Sequence, residues 1–219
     1  MIKILACIFM AIDHIGLIFF PQYEVLRIVG RLSMPFYAYC IARGVKYTKD
    51  IKIYLKRVLE VAIISQIPYC MMEKKLKLNI CFLWLIGISC ITALSKLRKV
   101  YKKVLLLIIV ILLISLLNID YGIYGFLYLL IMYYAISHDN IKNKDLFFYI
   151  SWLLLHLFKI VSDFSAGVIQ LFTLPTIPII DICNRYGLED KRSKSIIIHF
   201  FYPIHMIILL FIYNLLKIL

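Results

Sequence analysis

Long apolar stretches recur along the whole chain and constrain its fold more than any other feature. They are about 16–20 residues long, which is enough, or nearly so, for a helix to cross a hydrocarbon core of about 30 Å. The chain is 63% hydrophobic, and its charged fraction of 17% lies below the roughly 25% typical of soluble domains. Because a helix hydrogen-bonds its own backbone inside a bilayer, the sequence predicts an all-α, polytopic transmembrane helical bundle.

Hydropathy and helix-breaking residues predict about nine spans in a single domain over residues 1–219. The predicted helices lie near 2–20, 25–44, 54–72, 78–95, 104–118, 122–137, 146–162, 166–181 and 196–216. The fifth to eighth segments are short, so one of them could be re-entrant. Pro68, Pro175, Pro178 and Pro203 fall within or near helix ends, where we expect kinks and freed carbonyls. The first segment resembles a signal peptide, but polar residues interrupt it and no small-residue cleavage site follows, so we expect a retained helix.

The net charge of +13 comes from basic residues that cluster on one side of this arrangement. That side holds Lys3, Arg43, Lys46, Lys49, Lys52, Lys56, Arg57, Lys96, Arg98, Lys99, Lys102, Lys103, Lys142, Lys144, Arg185, Lys191, Arg192 and Lys194. The positive-inside rule makes this side and the N-terminus cytoplasmic, in a multi-pass protein of a bacterial-type plasma (inner) membrane. The charge is thus explained by topology and attraction to an anionic lipid bilayer, with no nucleic acid as partner. A site for an anionic cofactor such as a coenzyme A nucleotide is the alternative for part of it.

Asp13 and His14 stand side by side in the middle of the first apolar segment. A charged residue near a bilayer centre costs about 2.5–3.5 kcal/mol on insertion scales, and such residues usually face a bundle interior or a water-filled cavity. A buried histidine can be purely structural, bonded to a carbonyl. With an ordinary pKa near 6.5 it can also act as a proton acceptor in catalysis or in a transporter relay.

Helical depth places further polar residues in the same layer of the membrane, at or slightly outside the midplane. Arg31 of the second segment, His205 of the last and His156 of the seventh lie at similar depths to His14. Arg27 and Arg31 are spaced i,i+4 and share one helix face. We expect Asp13 to pair with Arg31 while His14 faces a cavity.

Two further features carry weaker signals. Gln66 stands in the sequence SQIP within the third helix, where it could bond a freed carbonyl or line a site. The six cysteines are scattered singly, without a CxxC pair or a Cys/His cluster, so the sequence predicts no metal site.

Several blocks, in order, resemble the TraX family of integral membrane proteins. They are MAIDHIGLIFFP, LRIVGRLSMPFYAYCIARG, SQIP, LNICFLWLIG, DYGIYGFLYLL and FYPIHMIILLFI, which together span nearly the whole chain. The resemblance implies the pilin N-acetyltransferase activity known for TraX of conjugative plasmids, and a relation to multi-pass acyltransferases that use cytoplasmic acetyl-CoA. It implies acetyl-CoA as co-substrate, without a metal, and a pilin-like or other peptide N-terminus as acceptor.

The resemblance also implies roles for individual residues. His14 of the DHIG block becomes the catalytic histidine, with Asp13 beside it, and Arg31 of the GR block becomes an active-site residue. Arg27, Arg43, Gln66 and His205 are candidates for binding substrate or cofactor. In this hypothesis His14 is the general base, or alternatively a transient acetyl carrier, and Arg31 orients Asp13 or stabilises the oxyanion.

Other functions are compatible with the same residues. A polysaccharide O-acetyltransferase would use the same base on a glycan hydroxyl. A proton-coupled transporter or a partner-binding membrane protein would use intramembrane Asp, His and Arg without acyl chemistry. The absence of an internal repeat in the sequence argues against many transporter folds.

Overall fold

The computed structural model describes residues 1–137, 144–188 and 196–218, and within them the chain is almost entirely helical. The helices are α1 Ile2–Phe19, α2 Glu24–Gly30, α3 Ser33–Tyr47, α4 Ile51–Glu73, α5 Ile80–Lys96, α6 Val100–Leu116, α7 Gly122–Ser137, α8 Lys144–Ser162, α9 Phe164–Leu171, α10 Thr176–Arg185 and α11 Ile196–Ile218. Four basic residues used above for orientation, Lys142, Lys191, Arg192 and Lys194, lie outside the described residues. The all-α prediction is confirmed for the part described.

The predicted helix over 25–44 is interrupted, so the prediction of one continuous helix was wrong. Arg31 and Leu32 form a turn between α2 and α3. The amide of Arg31 is shared between the carbonyls of Arg27 at 3.1 Å and Ile28 at 3.2 Å, and the amide of Leu32 donates to Val29, three residues back, which is the tighter 3₁₀ pattern. Pro35 has no N–H, so the carbonyl of Arg31 lacks its usual partner four residues further on. Arg31 therefore lies at a helix break.

The predicted helix over 166–181 is also interrupted, whereas α4 and α11 continue through Pro68 and Pro203. A turn over residues 172–175 separates α9 from α10. Pro175 directly precedes α10, and Pro178 lies in its first turn, where the missing N–H breaks no helical hydrogen bond. With each interrupted pair counted once, the described residues form nine helical segments, which agrees with the number of helices predicted.

Helix α1 lies at the centre of the arrangement that positions the polar residues. It packs against α2, α3 and α11, while α4 packs against α5 and α11, and α7 against α3, α5 and α8. The main hydrophobic core contains Phe36, Trp84, Ile88, Tyr128 and Leu129, all at most 3% exposed. Its side chains hold α3, α5 and α7 together on one side of α1.

Large apolar side chains also cover the outside of the bundle. Ile67 of α4, Leu112 of α6 and Phe211 of α11 are more than half exposed. Among the described residues, three helical stretches are long and apolar enough to cross a membrane: Ile2–Phe19, Phe164–Arg185 and Phe200–Lys217. Apolar surface on this scale suits lipid rather than water. The chain is a helical membrane protein.

Candidate functional site

A cavity of about 1420 Å³ extends through the bundle beside α1. This is larger than the roughly 300–1,000 Å³ of most ligand pockets. One end, the basic end, is lined by Lys3, Arg43 and Arg57. The opposite end is lined by Glu73, Lys77, Asp120, Lys159 and Asp163. Asp13, His14, Arg27 and Arg31 line the stretch between the two ends. The cavity thus connects a basic surface to the buried polar cluster that the sequence analysis singled out.

His14 is joined directly to His205 across the α1–α11 contact. Nδ1 of His14 lies 2.6 Å from Nε2 of His205, and their ring planes differ by only 5°. This nitrogen–nitrogen distance is too short for rings lying face to face, so the rings lie edge to edge in nearly one plane. Nδ1 of His205 lies 2.7 Å from the carbonyl oxygen of Phe201. His14 is 7% exposed and lines the cavity, whereas His205 lies behind it.

Asp13 pairs with Arg27, and the expected pairing with Arg31 was wrong. Nη1 of Arg27 donates to Oδ2 of Asp13 at 3.0 Å and to the Asp13 carbonyl at 3.3 Å. Nη1 of Arg31 instead donates to the hydroxyl of Tyr121 at 2.9 Å. The backbone amide of Arg31 donates to the Arg27 carbonyl at 3.1 Å, so the two arginines keep the common face that i,i+4 spacing gives, and they differ in the oxygen that each side chain reaches.

Gly30 allows the close contact between α1 and α2 that holds Asp13 in place. A Cβ atom at Gly30 would lie 2.3 Å from Asp13 Cβ and 2.5 Å from Asp13 Cα. The second of these is a backbone atom that cannot rotate away. Oδ1 of Asp13 is buried here and has no hydrogen-bond partner in the part of the chain described.

Substitution of Gly30 by alanine is therefore expected to destabilise the protein. Overpacking of this kind costs typically about 1–3 kcal/mol, and we expect the upper part of that range because backbone must move. Gly87 provides a matched control, because a Cβ there would meet Leu129 Cδ2, the tip of a flexible side chain. Thermal unfolding in detergent should show a larger loss for Gly30→Ala than for Gly87→Ala. Equal losses would mean that the α1–α2 contact is not rigid.

Two cross-linked loops lie at the opposite end of the cavity. Leu78 and Ile119 form an isolated β-bridge, and Nζ of Lys77 lies 2.8 Å from Oδ1 of Asp120. Tyr121 follows Asp120 directly and carries the hydroxyl that Arg31 contacts.

A second carboxyl at this end of the cavity belongs to Asp163, at the start of α9. Hydrogen bonds from the Ala166 amide and the Ser165 hydroxyl lower the pKa of Asp163, so this carboxyl is charged at neutral pH.

The remaining candidates lie in different surroundings. Gln66 is not among the described residues that line the cavity; its side chain bonds the Lys77 carbonyl at 2.7 Å and Asn79 at 2.9 Å, which joins α4 to α5. Asn79 caps α5, because its side-chain oxygen accepts a hydrogen bond from the Cys81 amide. His156, predicted to share a layer with His14, instead contacts Trp152, Thr173 and Tyr124 in a separate aromatic cluster.

Three residues of the cavity wall were missed as site residues by sequence reasoning. In the sequence, Lys3 and Arg57 indicate only the orientation of the chain in the membrane. Tyr121 lies in the segment DYGIYG, whose composition is explained by a turn. The signal for Lys3 and Arg57 was available, since each lies within the first two turns of a helix that begins on the basic side. Tyr121 carried no such signal.

Comparison with known protein families identifies the family of this chain. The TraX protein family matches residues 1–213 of the chain. The chain belongs to the TraX family. No solved structure matches it significantly.

Two curated proteins match shorter parts of this TraX-family chain. The "Probable fimbrial assembly protein FimC, serogroup H1" of Dichelobacter nodosus is 35% identical over 75 residues, which cover 32% of this chain and 31% of that protein. The "Uncharacterized protein RP591" of Rickettsia prowazekii (strain Madrid E) is 43% identical over 47 residues, 22% of this chain and 18% of that protein. The matches thus span less than a third of either relative.

Proposed function

We propose that this TraX-family protein is a membrane-embedded acetyltransferase. It moves acetyl from cytoplasmic acetyl-CoA to an acceptor amine at or across the membrane, with His14 as general base. One observation carries the proposal: His14, which is bonded to a second buried histidine, lines a cavity whose one end is basic. The printed name of the Dichelobacter nodosus relative, a probable fimbrial assembly protein, supports a pilin-like or other peptide N-terminus as the acceptor.

The basic end is the proposed entry for the donor. Lys3 begins α1, Arg43 lies near the end of α3 and Arg57 near the start of α4, and all three line the cavity. Arginine and lysine suit the phosphates of a nucleotide, with which they form charge-assisted hydrogen bonds. With this end cytoplasmic, the chain has a cytoplasmic N-terminus and about nine spans in a bacterial inner membrane, as one domain over 1–219.

The chemistry needs one base and one oxyanion partner. The acceptor nitrogen attacks the thioester carbonyl, the C–N bond forms, and His14 takes the proton that the nitrogen loses. The C–S bond then breaks, and the proton passes from His14 to the coenzyme A thiolate. Arg31 is the proposed donor to the oxyanion, and this role is supported by its position in the cavity wall and by the pairing of Asp13 with Arg27. A transient acetyl group on His14 is the less direct route.

A second candidate is favoured by the shape of the cavity. Charged residues line both of its ends, as in a transport path, so a proton-coupled transporter would also use the buried cluster. An acceptor hydroxyl on a polysaccharide is the alternative within the acetyltransferases. Mass spectrometry of the acetylated product distinguishes an amide from an ester, and proteoliposome flux without acetyl-CoA binding would favour the transporter.

Binding of radiolabelled acetyl-CoA to the purified protein in detergent tests the donor site. Arg57 and Lys56 form a matched pair, since both are exposed, adjacent and basic, and only Arg57 lines the cavity. A hydrogen bond to a charged group is worth about 1.5–3 kcal/mol, so Arg57→Glu should weaken binding about tenfold or more. Lys56→Glu should leave binding nearly unchanged.

Three outcomes would count against the proposal. Saturable binding that both variants weaken equally would indicate general attraction to a basic surface. No binding by wild-type protein shown to be folded would remove the acetyltransferase proposal. Binding that Arg57→Glu leaves intact would move the donor site away from the basic end.

A further inference from the structure

A chain of two hydrogen bonds leads from the cavity wall to the backbone of α11. It begins at His14 Nδ1, passes through the ring of His205 and ends at the carbonyl oxygen of Phe201, with heavy-atom distances of 2.6 and 2.7 Å. Both distances are short for hydrogen bonds that involve nitrogen. The ring of Phe201 lies 4.9 Å from that of His205 with an interplanar angle of 9°, and the Tyr202 ring lies beside both histidines.

The carbonyl at the end of this chain determines where the protons are. A carbonyl oxygen only accepts, so Nδ1 of His205 carries a hydrogen and donates it to Phe201. In a neutral imidazole the other nitrogen is then unprotonated, so Nε2 of His205 accepts. The facing Nδ1 of His14 must therefore carry a hydrogen. It follows that Nε2 of His14 is the unprotonated nitrogen.

The alternative arrangements are unfavourable. With the hydrogen on Nε2 of His14, two lone pairs would face each other at the 2.6 Å separation between the rings. With His205 doubly protonated, a cation would be buried against neutral groups, His14 and backbone carbonyls, with no ion pair to it found in the described residues. Buried charges are normally paired with an opposite charge. The neutral arrangement with Nδ1–H on His14 is the one that satisfies every contact.

We propose that His205 is a positioning residue that holds His14 in the Nδ1–H tautomer and thereby presents an unprotonated Nε2 as the base. In the described part of the chain Nε2 of His14 makes no hydrogen bond, while His14 itself lines the cavity. When His14 takes a proton, its Nδ1–H bond to His205 becomes charge-assisted and stronger, which favours the protonated state of the base. The tautomer assignment stands on the geometry alone, and its catalytic consequence rests on the proposed acetyltransferase.

The tautomer can be measured directly by nitrogen NMR. The chain has five histidines, so protein labelled with ¹⁵N-histidine in detergent micelles gives few signals, and loss of a signal in His14→Gln assigns His14. Wild type should show a protonated Nδ1 and an unprotonated Nε2 at His14. His205→Gln supplies a side-chain oxygen that accepts in place of Nε2, so the tautomer should persist. His205→Leu has similar bulk and no acceptor, and His14 should shift towards the Nε2–H tautomer.

The same variants give a catalytic readout where acetyl transfer is found. His205→Leu should lower kcat by about tenfold or more, with the KM for acetyl-CoA unchanged, since one misplaced hydrogen removes the base but no donor contact. His205→Gln should recover much of the loss. A purely structural role for His205 would make both variants equally poor.

Failure of this proposal is distinct from failure of the proposed function. If wild type transfers no acetyl group, the NMR result still decides the tautomer. An Nε2–H signal for His14 in wild type, or an unchanged Nδ1–H tautomer in folded His205→Leu protein, would overturn the role assigned to His205. The signals of the other histidines serve as the internal check that each variant is folded.

Discussion

Replacement of His14 by alanine is expected to lower the rate of acetyl transfer by orders of magnitude while acetyl-CoA binding persists. General-base catalysis is typically worth about 10²–10⁴-fold, so kcat should fall within that range. Binding should survive because His14 lies away from the proposed donor site. The basic end of the cavity is at the start of α1, at Lys3, whereas His14 is in the second half of that helix. Single-turnover transfer from radiolabelled acetyl-CoA, with binding measured on the same preparations, checks both parts.

Met10 supplies a matched control for this experiment. It lies one turn before His14 on α1, lines the same cavity and is 6% exposed against 7% for His14. Met10→Ala removes comparable bulk from the cavity wall without removing a base, so its kcat should fall far less. Full transfer by His14→Ala would make the assignment of the base wrong. Equal losses in the two variants would indicate that packing of α1, not proton transfer, is what the substitutions disturb.

Arg31 and Arg27 are expected to differ sharply in what their loss does. Removing one oxyanion donor typically lowers kcat by about 10²–10³, and this is the effect expected of Arg31→Gln with little change in stability. Arg27→Gln removes the only arginine bonded to the Asp13 carboxylate in the described residues. We expect it to cost about 3 kcal/mol, the lower end for breaking a buried pair, because Arg27 keeps some exposure.

The contrast can be tested with one further variant. Asp13→Asn in the Arg27→Gln background removes the unpaired buried charge, so the double variant should be more stable than Arg27→Gln alone. Measurements in detergent should then distinguish the two arginines. Arg31→Gln should lower kcat, and Arg27→Gln should lower the unfolding temperature. If both single variants lose kcat and stability to the same extent, the arginines act as one network and Arg31 has no separate role.

The local elements were predictable because their causes are local. Apolar length indicated the helices, and Asn79 indicated the start of α5, where its side chain accepts from Cys81. The helix break at Arg31 also has a local cause, which is Pro35 four residues later. It was not predicted because apolar residues continue across the break without interruption. Depth along a helix, at a fixed rise per residue, brought His14 and His205 to one layer.

The amino-acid sequence by itself determined that this is a helical membrane protein of the TraX family with Asp, His and Arg side chains buried in it. Only the tertiary structure decided their partners. Depth along a helix does not specify which way a side chain faces, so Asp13 bonded Arg27 rather than Arg31, and His156 joined an aromatic cluster away from His14. The bond between His14 and His205 joins residues 191 positions apart. It depends on how α1 packs against α11, which no local pattern specifies.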